Sequence, residues 1–246
     1  MTLTEMGRRA KDVSRVLNTL GSREKNMGLE EAARALLDSE EEILTGNRED
    51  YERAEAGGMS QGLLDRLKLT PARIQAMADG LLQVAALDDP VGEVLSMKLR
   101  PNGLQIGQKR VPLGVIGMIY EARPNVTADA FGLCFKSGNA VILRGGSDSI
   151  NSNLKLVGII RESLAKSDLC EDAVILISDT DRKYVNELMK MNAYVDVIIP
   201  RGGAGLIKNV VNNSTVPVIE TGTGNCHIYV HEDADFDMAC NIIYNA

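Results

Sequence analysis

The residues best placed to do chemistry are fixed cations set beside glycine or proline at the ends of apolar runs. Arg123 and Asn125 flank Pro124 just after the run 114–120. Arg144-Gly145-Gly146-Ser147 follows the run 140–143, and Arg201-Gly202-Gly203-Ala204-Gly205 follows 195–199. Each glycine loop stands between a predicted strand and a predicted helix. It offers backbone N–H groups, the positive end of a helix and a guanidinium to a single anion. One such loop is ordinary turn chemistry; two on one sheet favour a phosphate-bearing cofactor. Glu220 ends another apolar run and faces Thr221-Gly222-Thr223-Gly224. A carboxylate there is either poised for chemistry or caps the next turn.

Other chemistries find less support. Neither a GxxxxGK[ST] loop nor a GxGxxG turn is present. His227 and His231 lie in or beside a predicted strand, 226–230, where a four-residue spacing is roughly 13 Å. That is too far for a shared zinc with ligands at about 2 Å, so no metal site is expected. Cys226 and His227 would point to opposite strand faces. Cys134 and Cys240 fall in helical runs and read as packing residues, while Cys170 sits in a polar turn with no activating neighbour. No cysteine reads as a nucleophile.

The elements that must position these groups come in two regimes. Residues 4–20 carry the stripe Met6, Ala10, Val13, Leu17 and Leu20, an amphipathic helix. Leu29, Ala32, Ala33, Leu36 and Leu37 mark a second. Ser39-Glu-Glu-Glu42 reads as a capping box opening a short third. Asn47 is expected to cap a further helix closed by Gly57-Gly58. Thr70-Pro71 opens one with Ile74, Met77, Leu81 and Val84 buried. From residue 92 the period falls to two, with a Pro101-Asn-Gly103 turn between 94–99 and 104–111, a β-hairpin. Thereafter strands (114–120, 140–143, 173–177, 195–199, 216–219, 226–230) alternate with helices (127–136, 148–165, 181–191, about 204–211, 234–244). That alternation predicts an α/β fold with a mostly parallel sheet. In such sheets ligands sit outside the carboxyl ends of the strands, where Arg123, Arg144 and Arg201 fall.

Composition sets the bounds. The 246 residues carry a net charge of −7, which argues against general nucleic-acid binding. Residues 1–90 hold 12 Lys and Arg against 17 Asp and Glu, whereas 98–144 hold 7 against 2. The positive charge gathers on the suspected anion site, or forms a solvated basic face. No apolar run reaches the ~18 residues of a membrane span. Four scattered cysteines without CxxC predict reduced thiols in a cytoplasmic protein.

As a set, these residues resemble the aldehyde dehydrogenase superfamily. The frame is Pro112-Leu-Gly-Val-Ile-Gly117, Ser137-Gly-Asn-Ala-Val-Ile-Leu143, Val195-Asp-Val-Ile-Ile199, Glu220-Thr-Gly222 and Asp233-Ala-Asp-Phe-Asp-Met-Ala239. Tyr120-Glu-Ala-Arg-Pro-Asn-Val-Thr127, Leu143-Arg-Gly-Gly146, Ile199-Pro-Arg-Gly-Gly203, Asp65-Arg-Leu67 with Leu69-Thr70, and Glu220-Thr-Gly-Thr-Gly-Asn-Cys-His227 narrow it to the family of gamma-glutamyl phosphate reductases. The resemblance implies an aldehyde-dehydrogenase-like fold with N-terminal helices and a Rossmann-like sheet covered on both faces. It divides the chain into a helical segment (1–91), a hairpin (92–111) for oligomer pairing, an NADP-binding domain (112–224) and the start of a catalytic domain (225–246).

The activity implied is NADPH-dependent reduction of L-glutamyl 5-phosphate to the 5-semialdehyde, through a cysteine thioester, in proline biosynthesis. Asn125 would stabilise the oxyanion, and Glu220 matches the superfamily's general base. Arg144, Gly145, Gly146, Ser147, Arg201, Gly202, Gly203 and Gly222 would hold the cofactor, with the Arg144 guanidinium on the 2′-phosphate of NADP. Arg123 would bind the substrate's phosphate or carboxylate, or else pair with Glu121. None of the four cysteines matches the family's nucleophile, expected beyond Ala246, so the 246-residue chain alone is expected to be inactive. A non-catalytic nucleotide-binding fragment and another acyl-reducing superfamily member are the alternatives. A homo-oligomer and a functional link to glutamate 5-kinase complete the expectations.

Overall fold

The computed structural model describes residues 1–220, 222 and 226–246. Five helices come first: α1 (Leu3–Leu17), α2 (Ser22–Asp38), α3 (Glu40–Ala56), α4 (Gln61–Leu67) and α5 (Pro71–Ala86). Thr70 caps α5 as expected, its Oγ1 accepting from the Arg73 N–H at 3.2 Å with proline at N1. Two readings of this region are corrected. Ser39 precedes α3 but makes no side-chain cap bond. Asn47 caps nothing: it lies inside α3, which continues unbroken to Ala56. Its amide donates to the Leu67 carbonyl (2.9 Å) and Ser152 Oγ (3.0 Å), and its oxygen accepts from the Leu69 N–H (2.7 Å). Burial supplied Asn47 with partners on α4, on α7 and in the turn before α5, so its amide was not needed at a helix end.

The hairpin is β1 (Val94–Leu99) antiparallel to β2 (Gln105–Lys109). Its side chains stay largely exposed, among them Val94, Leu95, Met97, Leu99 and Ile106. The main sheet follows, with β3 (Val115–Tyr120), α6 (Asn125–Lys136), β4 (Ala140–Arg144), α7 (Ile150–Lys166) and β5 (Val174–Leu176). It is completed by α8 (Lys183–Leu188), β6 (Val197–Arg201), α9 (Ala204–Asn213) and, after the described loop residues, α10 (Phe236–Asn245). Strand order is β5-β4-β3-β6, all parallel. The buried strands β3, β4 and β5 are near-continuous apolar runs because helices cover both faces. Right-handed crossovers put α6 and α7 on one face. The step from β5 back to β6 runs the other way, so α8 falls on the opposite face, where it meets α1.

Other boundaries moved for local reasons. Helix α6 begins at Asn125, so Asn125 stands in its first turn and not in a loop. α8 is shorter than expected. Asp179 and Asp181 carboxylates accept the N–H groups of Asp181 and Lys183 at 2.9 Å in place of helix bonds, and the Met189 carbonyl turns to Thr215 and Val216. Residues 216–219 add only a single parallel bridge, Ile198 to Val218; Pro217 has no N–H to extend a ladder. The expected strand 226–230 is absent from the described residues. Ile228 and Tyr229 are exposed there, with no neighbouring strand to pair with. Cys240, expected to pack, is exposed on α10, whose Phe236, Met238, Ile242, Ile243 and Tyr244 are also uncovered.

Candidate active-site cleft

Counted from β3, the sheet steps outward through β4 to β5 and then returns to β6 on β3's other side. That is the order of the first four strands in the dinucleotide-binding fold, and the reversal between β3 and β6 is its switch point. The carboxyl ends of both strands, Tyr120 and Arg201, are paired there. Two cavities open at this point and meet over Tyr120 and Glu121. One, ≈ 660 Å³, extends toward Arg144, Gly146, Ser147, Thr180, Arg182 and Gly205. The other, ≈ 610 Å³, extends toward Arg66, Arg123, Asp148, Arg201 and Gly202.

The first glycine loop is held from below. Asp50, fully buried on α3, accepts from the Asn151 N–H (3.2 Å), the Ser152 N–H (2.7 Å) and Ser152 Oγ (2.7 Å). Arg53 donates to Asp50 at 2.7 Å and to the Ser147 carbonyl at 3.1 Å. This corrects the expectation of free helix N–H groups: a carboxylate of the chain itself already occupies the start of α7. Behind the loop, the Tyr120 hydroxyl meets Thr127 Oγ1 at 2.7 Å, which donates to Asn153 Oδ1 at 2.9 Å, and Asn153 donates to Ser149 Oγ at 3.1 Å. Burial raises the Tyr120 phenol well above its usual range, so it stays neutral. Gly146 is required for closeness. A Cβ there would lie 3.3 Å from the Ala122 nitrogen and 3.4 Å from the Glu121 carbonyl carbon.

Arg144 is 6% exposed. Its guanidinium donates to the Gly145 carbonyl and to the Thr180 carbonyl, the latter at 2.8 Å. Nε is buried without a partner among the described residues. Burial pulls its pKa down, against the charges of Asp179 and Asp181. Two of its three nitrogens are therefore committed to backbone, and the exposed Arg182 is the further cation on this cavity.

At the second loop, Glu121 does what an anionic ligand would do. Its Oε2 accepts from the Gly203 N–H at 3.0 Å, at the start of α9. A Cβ on Gly202 would meet the Glu121 carboxyl group at 2.7 Å. The alternative pairing of Glu121 with Arg123 does not occur; Arg123 is exposed and makes no side-chain bond among the described residues.

The remaining expected residues scatter. Asn125 donates to Asp129 Oδ2 at 3.2 Å and lines a third cavity of ≈ 430 Å³, which it shares with Arg66 and Arg123. Burial raises the Asp129 pKa, opposed by that bond. Glu220 and Gly222 are exposed and line neither of the two main cavities. Thr221, Thr223, Gly224 and Asn225 of that loop lie outside the described residues. No cysteine lines either cavity, and burial pushes the Cys134 thiol up to about 12. His231 instead joins Glu232 and Asp233 in an exposed surface trio, its Nδ1 3.4 Å from Asp233 Oδ2.

Sequence reasoning gave no role at the cleft to Asp50, Arg66 or Arg182, and gave Glu121 the wrong partner. Asp50 and Arg66 sit among helical residues distant in sequence from the cleft, and only the packing of α3 and α4 brings them to it. Glu121 was legible as a carboxylate beside a strand end, but its partner was not.

The sequence profile described as the aldehyde dehydrogenase family matches residues 6–246. A protein of Lachnospira eligens named gamma-glutamyl phosphate reductase is 62% identical over 245 residues, 100% of this chain and 59% of its own length. The crystal structure of the Thermotoga maritima gamma-glutamyl phosphate reductase superposes with a TM-score of 0.90 at 45% identity, covering 99% of this chain and 59% of that one. For the Saccharomyces cerevisiae gamma-glutamyl phosphate reductase the TM-score is 0.83 at 30% identity, covering 100% and 62%. The chain thus spans about three-fifths of the length of these relatives.

Proposed function

The chain belongs to the aldehyde dehydrogenase family, and on that premise we propose that it forms the cofactor-binding part of an NADPH-dependent reductase of L-glutamyl 5-phosphate. The observation that carries the reading is whole-chain identity of 62% with a protein of that name. The cleft supports it, because it is divided into a nucleotide-sized arm and a cationic arm that meet at the switch point.

The residues present fit a dinucleotide phosphate. Arg144 Nε is a buried donor without a partner. Gly205 lines the same cavity with nothing within 4 Å of a Cβ, so any side chain there would intrude into it. In this reading Gly145, Gly146 and Ser147 shape the adenosine end, with Arg144 and Arg182 facing the 2′-phosphate. Arg201, Gly202 and Gly203 approach the pyrophosphate, where Glu121 must give up the Gly203 N–H. NADPH supplies the hydride. Arg123 binds the acyl phosphate, and Asn125 donates to the developing oxyanion after its amide leaves Asp129. No cysteine lines either cavity, so a thioester-forming thiol is not among their residues, and the 246-residue chain alone is expected to bind cofactor without turnover. Glu220, exposed and outside both cavities, is given no step in this reading.

The test is the full-length protein supplied with L-glutamyl 5-phosphate generated in situ by a glutamate 5-kinase. Oxidation of NADPH with release of phosphate and semialdehyde is expected; no NADPH consumption would refute the reading. Turnover by the isolated 246-residue chain would refute the assignment of its thiol elsewhere.

A further inference from the structure

Three arginines line the ≈ 610 Å³ cavity, Arg66, Arg123 and Arg201. Among the described residues none of the three has an ion pair or a side-chain hydrogen bond. Elsewhere cationic side chains are readily satisfied: Arg73 pairs with Asp65 at 3.1 Å, and Arg161 with Asp172 at 3.0 Å. Two carboxylates share the cavity, Glu121, committed to Gly203, and Asp148. A cavity lined by three unpaired cations and two acids suits a small ligand bearing two anionic groups and an ammonium.

The positions of the three cations are not equivalent. Arg201 ends β6 and Arg123 follows β3, so both lie at the switch point beside the cofactor arm. Arg66 comes from α4, off the sheet entirely. Leu64 and Leu67 of that helix are buried against the Ala54 cluster, which leaves Arg66 and Leu63 on the cavity side. Hydride transfer requires the reacting carbon to be near the cofactor arm. The substrate's other end then extends away from the strand ends, toward α4.

We propose that Arg66 is a specificity-determining residue that binds the α-carboxylate of the substrate, at the end remote from the acyl phosphate. The assignment rests on the reductase reading above. A guanidinium grips a carboxylate through two parallel N–H bonds that an ammonium cannot reproduce. Arg66 therefore sets selectivity for α-amino-acid substrates over simple acyl phosphates, while Arg123 and Arg201 serve the reacting end.

The oxidative direction separates the two ends of the substrate, because aldehyde, phosphate and NADP combine to give acyl phosphate, NADPH and a proton. Phosphate and carboxylate then enter on different molecules. In the full-length protein, Arg66→Met is expected to raise KM for glutamate 5-semialdehyde roughly 10- to 100-fold. KM for phosphate and for NADP should stay within about twofold, with kcat little changed, and Arg66→Lys should recover part of the loss. Oxidation of butyraldehyde, which lacks the carboxylate, should be unaffected by either variant. The side chain is exposed and unbonded, so the fold does not depend on it. An unchanged semialdehyde KM, or a rise in phosphate KM instead, in an otherwise active enzyme would overturn this assignment alone. A wild-type protein inactive in both directions would overturn the reductase reading itself.

Discussion

Cofactor selectivity is a question about single charges. With Arg144 half-committed to the Gly145 and Thr180 carbonyls, its value to a 2′-phosphate lies in a buried, partly unsatisfied cation held in a fixed place. Arg144→Leu is expected to weaken NADPH binding by roughly 10-fold or more and to leave NADH within about threefold, read by fluorescence titration of the two nucleotides. Equal losses would show that Arg144 does not read the 2′-phosphate. Glu121 acts with the opposite sign. Its carboxylate sits on the Gly203 N–H where a cofactor phosphate would approach, so Glu121→Gln should tighten cofactor binding several-fold, by removal of like-charge repulsion. Weaker binding in that variant would show that Glu121 contacts the cofactor favourably. At this scale the sequence was a fair guide to which residue types gather at the cleft, since cations and glycines at strand ends have few other uses. It was a poor guide to their partners, because the carboxylates that fill both helix starts come from other elements.

Elements matter through what they hold still. α3 contributes Asp50 and Arg53 to the start of α7, and Asn47 ties the same helix to Ser152 and the turn before α5. Asp50→Ala would orphan the N–H groups of Asn151 and Ser152 and leave Arg53 with backbone carbonyls alone. A loss of about 2 kcal/mol is expected, at the upper end for a cap, because the site is buried. NADPH affinity should fall as the Arg144–Ser149 loop loosens, measurable in denaturant and titration series on one preparation. A stable variant with unchanged affinity would show that the loop is held without α3.

The N-terminal helices carry a second buried charge. Lys25, 1% exposed on α2, donates to Asp89 at 2.9 and 3.2 Å. Burial pushes the Asp89 pKa up, but bonds from Lys25 and the Val91 N–H, the charge of Lys25 and a bond from Ser22 outweigh it, so the net shift is downward. A depressed carboxylate contributes stability that is present above its unfolded pKa, about 3.9, and lost as pH falls through its lower folded value. Asp89→Ala strands a buried ammonium and should cost about 3–5 kcal/mol at neutral pH. Its deficit in Tm relative to wild type should narrow below about pH 4; a constant deficit would assign the loss to packing. Helix stripes and the strand–helix alternation were legible because burial writes a period into the sequence. Asn47 and Lys25 were not: a polar residue inside a helix looks exposed or capping until its neighbours are known.

For the whole molecule, strand order is what makes the cleft. The reversal between β3 and β6 brings Tyr120 and Arg201 together and leaves two cavities that meet over Tyr120 and Glu121. The parallel sheet was readable from the alternation, but its switch point required knowing that β6 returns to β3. The expected strand 226–230 failed for the complementary reason, since apolar alternation supplies a face and not a pairing partner. The measurement that bears most directly on the account is phosphate dependence of semialdehyde oxidation by the full-length protein, followed by NADPH absorbance. NADPH is predicted to form only when glutamate 5-semialdehyde, NADP and phosphate are all present. Formation of NADPH at the same rate without phosphate would mean that water accepts the acyl group, and would contradict the account.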